Sequence, residues 1–530
     1  MVSITVWYEK PTSFIISLNK TKLEVLFLPK LTEIRRTSLS YRLLQAIRQA
    51  WPHSFFSYWL CKEPVWVTSH SVITQKVWKA VFPAPHYRKG RDKPGFLTSS
   101  FLSPAVTNGA WLLLLPLSAY PFIDYALRLG KHPGNLAGTW DDLFLFFCLI
   151  VAVARIACRG LGSYRKTDLH LPLFIYFGIF TFLFLLRSPE THVGIEGVRV
   201  YLEYALWFFV GVNLPNNQQQ IKRFTACLIF ACTVAALYGI GQYIAGVPVP
   251  ANWVDQAEAG VRSRAFSVVG SPNILGSLTA LVLPLSIAGF FTASTWRPRL
   301  GYIFATSTLV LCLFLTYSRG AWLAAFTGLV IFALLTNPRL LWAVGAVAAT
   351  APIVSPGIAG RLLYLFSTGY LVSSERSGRV ARWQAAVEKL LQHPVVGEGF
   401  GRFGGAVATR AIPGSFYVDN FYLKTAAESG LLGLATLVWV FASAWRAGYR
   451  AFAVLSRPAE KTLAAAILSG LTAVLLHNLV ENVFETPLMS TFFWLLLGLL
   501  LSLPEPQRDV DKVTDACEYQ ASRSACTENY

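Results

Sequence analysis

Charge is scarce in this sequence. Asp, Glu, Lys and Arg make up 14% of its 530 residues, against about a quarter in an ordinary soluble domain. Catalytic signatures are missing too. No GxSxG, Walker A or HExxH pattern occurs, which removes the nucleophile-elbow hydrolases, the P-loop enzymes and the zincins. The eight cysteines show no zinc-ligand spacing. Cys148, Cys158, Cys227, Cys232 and Cys312 lie in apolar runs, where a small buried hydrophobe is the expected role, and Cys61, Cys517 and Cys526 lie in the terminal segments. The acidic pair Asp509 and Asp511 has no nucleotide fold around it, so no metal and no cofactor is expected. The opening MVSITVWYEKPTSFIISLNK is broken by charge and proline and lacks a signal-peptide core. The short alternating segments of a membrane β-barrel are absent as well.

What the chain has instead is apolar length. Hydrophobic residues make up 54% of it, and from about residue 104 onward runs recur that can cross a hydrocarbon core of ~30 Å. The fold class expected is an all-α polytopic membrane protein with about 12 transmembrane helices, at 104–124, 142–158, 170–187, 198–213, 222–245, 270–293, 300–317, 320–336, 340–356, 419–445, 462–480 and 487–503. Arg159, Arg165, Lys166, Lys222, Arg223, Arg297, Arg299, Arg339, Arg446, Arg450, Arg457 and Lys461 fall in alternate short loops. The positive-inside bias makes that side cytoplasmic, with both termini. Three regions follow: a basic cytoplasmic extension 1–103, a membrane domain 104–504, and a cytoplasmic tail 505–530. The extension suits anionic lipid. The net charge of +18 resides largely in the cytoplasmic segments, and nothing points to nucleic acid.

One long extracytoplasmic loop, 357–418, separates the ninth and tenth spans. Within it, SGRVARWQAAVEKLLQHP places Val380, Trp383, Val387, Leu390 and Leu391 on one helical face, with Ser377 as a cap and Pro394 after the end. The loop helix should lie against the outer mouth of the bundle.

Polar residues gather on that face. In LFLTYSRGAWLAAF, Arg319 is the only charge between Arg299 and Arg339. It falls at the outer end of a helical hairpin, where Gly320 would allow the turn. Arg262, Arg264, Arg379 and Arg382 are expected on the same side. Guanidinium groups bind phosphate oxygens in pairs and stay charged, although a single outer arginine also serves as a headgroup anchor. Asp419, ahead of the tenth span, is either a general base beside an apolar wall or an ordinary helix N-cap. Glu428 is either an intramembrane functional carboxylate or the partner of Lys424. His477, Asn478 and Glu481 form a second polar group.

Taken together, RSRAFSVVGSPNILG, LTYSRGAWLA, SGRVARWQAAVEKLLQHPVVGEGFGRFGG and DNFYLKTAAESGLLG resemble the O-antigen ligase and polymerase family of bacterial membrane glycosyltransferases over most of residues 220–500. The resemblance implies an inner-membrane enzyme of cell-surface polysaccharide assembly. Its donor would be a glycan on undecaprenyl or another polyprenyl pyrophosphate, its acceptor a hydroxyl of a glycan or lipid, and its transfer inverting and metal-independent. It places Arg264, Arg319 and Arg379 at the pyrophosphate and Asp419 where the ligase branch carries a histidine before Asn420, with Arg382, Glu428 and His477 in support. The stretch LYGIGQYIAGVPVPANWVDQAEAG resembles bicarbonate-transporter-like relatives, so small-anion transport is the alternative, and a non-catalytic scaffold a third reading.

Overall fold

The computed structural model describes residues 108–129, 136–160, 163–248, 263–364, 367, 374–375 and 378–503, all within the unit Pro94–Tyr530. The extension 1–103, Arg262, Ser377 and the tail 505–530 lie outside the described residues. Apart from one bridge between Pro248 and Ser263, the described regular structure is helical.

In chain order the helices are α1 (Leu114–Ser118), α2 (Tyr120–Leu129), α3 (Leu136–Arg159), α4 (His170–Leu186), α5 (Thr191–Leu202), α6 (Trp207–Asn213), α7 (Gln218–Ile244), α8 (Pro272–Thr292), α9 (Trp296–Leu315), α10 (Arg319–Thr336), α11 (Leu340–Val354), α12 (Pro356–Tyr364), α13 (Arg379–Gln392), α14 (Ala406–Ala411), α15 (Phe421–Val454), α16 (Pro458–His477) and α17 (Pro487–Leu501). Their starts follow local chemistry. Asn217 caps α7, Ser271 caps α8 and Asn420 caps α15 through side-chain oxygens, while Pro272, Pro458 and Pro487 occupy first positions that need no N–H donor.

Among the described residues, α7, α8, α9, α10, α15 and α16 are each long and apolar enough to cross a membrane, and the 66° bent pair ending in α2 would make a seventh. α4, α11 and α17 are apolar but shorter. The expected span 198–213 is in two pieces, α5 and α6, joined by a 3-10 turn at Tyr204–Leu206. α8 sits at the centre, packed by α7, α9, α10 and α16, and α17 is buried from Leu488 to Leu500. α11 has no buried residue, and its Trp342, Ile353 and Val354 lie open as lipid-facing side chains would.

The loop helix α13 packs through Ala386, which joins Phe403, Val418 and Ala427 in a small cluster. The apolar face read from its sequence is therefore rotated. Val387 and Leu391 are exposed, because the small Ala386 allows the closest approach to the bundle.

Below α13 the chain is bound to a break in α15. At Gly430 the backbone turns left-handed, with φ +66°, which costs an L side chain about 1–2 kcal/mol. The break frees backbone groups, and residues 394–399 satisfy them. Glu398 and Gly399 donate to the carbonyls of Ala427 and Glu428, each at 2.9 Å, and Leu431 donates to Pro394 O at 2.8 Å. A Cβ at Gly430 would run into the Val395 carbonyl.

A buried ionic group fixes the same loop. Lys424 Nζ lies 2.6 Å from Glu428 and 2.8 Å from Glu485. Tyr201 of α5 donates to Glu428 at 2.9 Å. The remaining carboxylate oxygens accept from loop amides, Phe403 N at 3.4 Å and Ala406 N at 3.0 Å. One cation thus pairs with both carboxylates that hold the loop. Removing one member of a buried ion group costs about 3–5 kcal/mol. Lys424→Met should sharply lower the unfolding temperature in detergent, and adding Glu428→Gln should recover part of the loss. A wild-type melting curve for Lys424→Met would show that the cluster does not hold the loop.

Candidate active site

The site is built from four chain segments at one end of the bundle: the turn before α10, the start of α13, the residues before α15, and the turn after α16.

The first segment carries Arg319. Tyr317 takes the left-handed conformation, φ +51°, between α9 and α10. The turn is therefore made at Tyr317, and Gly320 has another role inside α10. A Cβ there would stand 2.6 Å from Val480 Cγ2 and 3.0 Å from the His477 ring, so glycine permits the close approach of α10 to the end of α16. Arg319 donates to Arg361 O at 3.5 Å. The Arg361 guanidinium lies over the Tyr317 ring, 6.0 Å from its centre. Burial and the neighbouring Tyr243 push the Tyr317 hydroxyl up to about 12, so it stays protonated.

Arg264 is in a different place from Arg319. It is 7% exposed, and its Nε donates to Thr316 O at 2.8 Å while Nη2 donates to Asn273 Oδ1 at 3.1 Å. It braces the Tyr317 turn from inside. Asn273 in turn donates to Glu481 Oε2. Asn273 lies within SPNILG but carried no charge to single it out.

The carboxylates meet the loop arginines. Asp419 has φ +51°, and the cap of α15 is the next residue, Asn420, whose Oδ1 accepts from Leu423 N at 3.0 Å. Capping is thus not the duty of Asp419. Its Oδ2 accepts from Arg382 at 2.8 Å and lies 3.8 Å from Arg379 Nε. Arg379 also approaches Glu481, at 4.0 Å. Asn482 anchors the strand of chain beneath, accepting from Asn420 N at 3.0 Å and donating to Gly404 O at 2.6 Å.

Glu481 is a carboxylate whose chemistry the surroundings alter strongly. Burial, and then the charge of Asp419, push its carboxyl up to about 7, against the opposing pull of Arg379 and Asn273. A carboxylate tuned near neutrality suits general base work. His477 is buried nearby, its Nδ1 without a hydrogen-bond partner among the described residues. Glu428 belongs instead to the Lys424 cluster described above.

Next to these groups opens an apolar cavity of about 760 Å³, walled by α8, α9, α10 and α11. Arg319, Arg379 and Trp383 contribute to its lining, with Arg264 and Arg382 outside it. Trp383 Nε1 is buried with no hydrogen-bond partner among the described residues. Among the described residues, no group of three or more His, Cys, Asp and Glu is arranged to hold a metal ion.

Bracing and ligand binding predict different losses. Arg264→Met leaves the Thr316 carbonyl without its charged donor and should destabilise the protein by about 1–3 kcal/mol. Arg319→Ala should leave the melting temperature near wild type. Equal melting temperatures for all three proteins would remove the bracing role of Arg264.

No curated protein matches the chain. Residues 304–438 match the family model described as O-Antigen ligase. That quarter of the chain runs from within α9 to within α15 and takes in Arg319, Arg379, Arg382, Asp419, Asn420 and Glu428. The match is to the ligase family rather than to bicarbonate-transporter-like proteins. Over this segment the chain is similar to the O-antigen ligase family, and its long apolar helices are those of a membrane protein.

Proposed function

We propose that the protein assembles cell-surface polysaccharide by moving a glycan from a polyprenyl-pyrophosphate carrier to a hydroxyl of a glycan or lipid acceptor. The observation that carries this reading is the placement of Arg319 and Arg379 on the wall of a large apolar cavity, beside two carboxylates. An amphiphilic donor needs that combination. Its hydrocarbon favours the apolar wall, its pyrophosphate favours guanidinium groups, and its sugar must lie near a base.

In this reading the acceptor oxygen attacks the anomeric carbon from the side opposite the pyrophosphate, which inverts the centre. The carbon–oxygen bond to pyrophosphate breaks, and its electron pair remains on the departing oxygen. Arg319 and Arg379 stabilise that growing charge. These side chains supply the positive charge that the leaving group needs, so the proposed transfer is metal-independent. The hydroxyl proton passes to the Asp419–Glu481 pair. Arg382 and Arg379 hold Asp419 in place as ion-pair partners, and Glu481 is the member with a proton affinity suited to accepting and releasing a proton near neutral pH.

The accompanying topology has twelve crossings, with α3, α5 joined to α6, and the shorter apolar helices crossing alongside the long ones. The site then faces the outer side of the plasma membrane, both termini are cytoplasmic, and residues 357–418 form the outer loop.

The first test uses a host lacking its own enzyme of this family, with membrane expression matched. Arg319→Ala should make carrier-linked glycan accumulate and surface polymer disappear, and Arg319→Lys should restore only part of the activity, since lysine lacks the bidentate fork. Unchanged carrier-linked glycan in Arg319→Ala would overturn the donor assignment. The second test is the pH dependence of transfer. A base must be deprotonated, so the rate should fall as pH drops below about 7, the value to which the Glu481 carboxyl is raised. Glu481→Gln should abolish that limb with most of the activity, and Asp419→Asn should slow transfer while donor binding survives. A limb that persists in Glu481→Gln would exclude Glu481 as its source.

A further inference from the structure

The opposite end of the bundle holds a second group of arginines. α7 joins the two ends: Tyr243 near its last turn contacts Tyr317, while Asn217 caps its first turn. α17 likewise runs from beside Glu485 to Ser502.

At this far end Arg155 of α3 donates through Nη2 to Asn216 Oδ1. Arg165 donates to Asn216 O at 3.3 Å and to Ser502 O at 2.7 Å. Arg159, one turn beyond Arg155, donates to Asn108 Oδ1 at 3.3 Å, and Asn216 Nδ2 donates to Asn108 O, also at 3.3 Å. Three guanidinium groups therefore converge on two neighbouring asparagines.

Among the described residues the acceptors of Arg155 and Arg165 are neutral, and the charged side chains that act on these two are arginines, not carboxylates. Asp168, the carboxylate nearest in sequence, is held by Arg450 at 2.7 Å. Arg155 is 5% exposed, and its Nε has no hydrogen-bond partner among the described residues. Burial and Arg159 pull the Arg165 guanidinium below its ordinary value. A buried cation among like charges is costly unless an anion joins it. The first turn of α7 adds the partial positive charge of a long helix.

We propose that Arg155, Arg159 and Arg165 form a binding site for a phosphate group, carried by an anionic phospholipid headgroup or present as free phosphate. Phosphate oxygens accept from several guanidinium groups at once. Ile150 and Val153 are exposed on α3 within two turns of Arg155, where an acyl chain would lie. The site is separate from the glycan-transfer reading and stands or falls without it.

The test places the full-length protein in nanodiscs of phosphatidylcholine alone, or of phosphatidylcholine mixed with phosphatidylglycerol, and measures thermal unfolding and retained lipid by native mass spectrometry. The wild type should unfold at higher temperature and retain phosphatidylglycerol in the mixed discs. Arg155→Gln and Arg159→Gln should bind it roughly tenfold more weakly. Arg159 is exposed, so its variant serves if Arg155→Gln does not fold. In a second arm, inorganic phosphate is titrated into phosphatidylcholine discs. A stabilisation there that both variants weaken identifies free phosphate as the ligand. No stabilisation of wild type by either probe, or stabilisation that persists in both variants, overturns the site.

Discussion

A helix that breaks among apolar neighbours must find new partners for the backbone groups it releases, because no water is at hand to take them. The break at Gly430 sets this condition for the protein. Its freed carbonyls are met by the amides of Glu398 and Gly399, so the loop that follows α13 has one place to sit. The Lys424 cluster then adds a charge constraint to the geometric one, since Glu428 and Glu485 each spend an oxygen on a loop amide. With the end of α13 fixed in this way, Arg379 and Arg382 at its start reach Asp419. The candidate site is thus a consequence of how a broken helix is repaired.

The site arranges like and unlike charges so that its two carboxylates have different surroundings. Asp419 faces both loop arginines and is stretched into a left-handed backbone that Asn420, by taking over the cap, leaves in place. Glu481 is buried and feels the negative charge of Asp419, while Arg379 at a distance, Asn273 and the backbone of Asn482 support its ionised form. Of the two, Glu481 is the one whose surroundings raise its proton affinity toward neutral pH, which suits it to acid–base work. The arginines divide labour. Arg264 fixes the turn that presents Arg319, and Arg319 and Arg379 are the two that reach the cavity.

Much of this was legible in the sequence, for physical reasons. Apolar runs of bilayer length declare themselves, and helices of the structure overlap each of those predicted. A loop arginine before a tryptophan marks Arg379, and Asp419 was readable as a base or a cap, a choice that only the structure made by giving the cap to Asn420. What could not be read is which polar groups find each other across the fold. Lys424 and Glu428 are four apart on one helix, so their pairing is local and was foreseeable, but Glu485 and Tyr201 join them from distant segments. Arg264 and Arg319 look alike as outer-face arginines, and only packing turns one inward to Thr316. The rotation of α13 was hidden because a small residue, Ala386, decided the contact over the larger Val387 and Leu391. Gly320 was noticed for the wrong property, since its missing side chain matters more than its freedom of φ.

The two arginine groups at opposite ends of α7 show how the same side chain is put to different use by its counter-charges. Near the candidate site Arg379 and Arg382 stand against Asp419 and Glu481, so their charge is largely neutralised before any ligand arrives. On the proposed reading, a donor pyrophosphate entering there would compete with resident carboxylates, which would keep its binding reversible and leave the carboxylates free to take a proton as it binds. At the far end Arg155 and Arg165 rest on neutral oxygens, so a phosphate arriving there meets no such competitor and would be held more persistently. A turnover site and a standing anchor have opposite needs in this respect, and the placement of acidic residues along the bundle would suit both of the proposed roles.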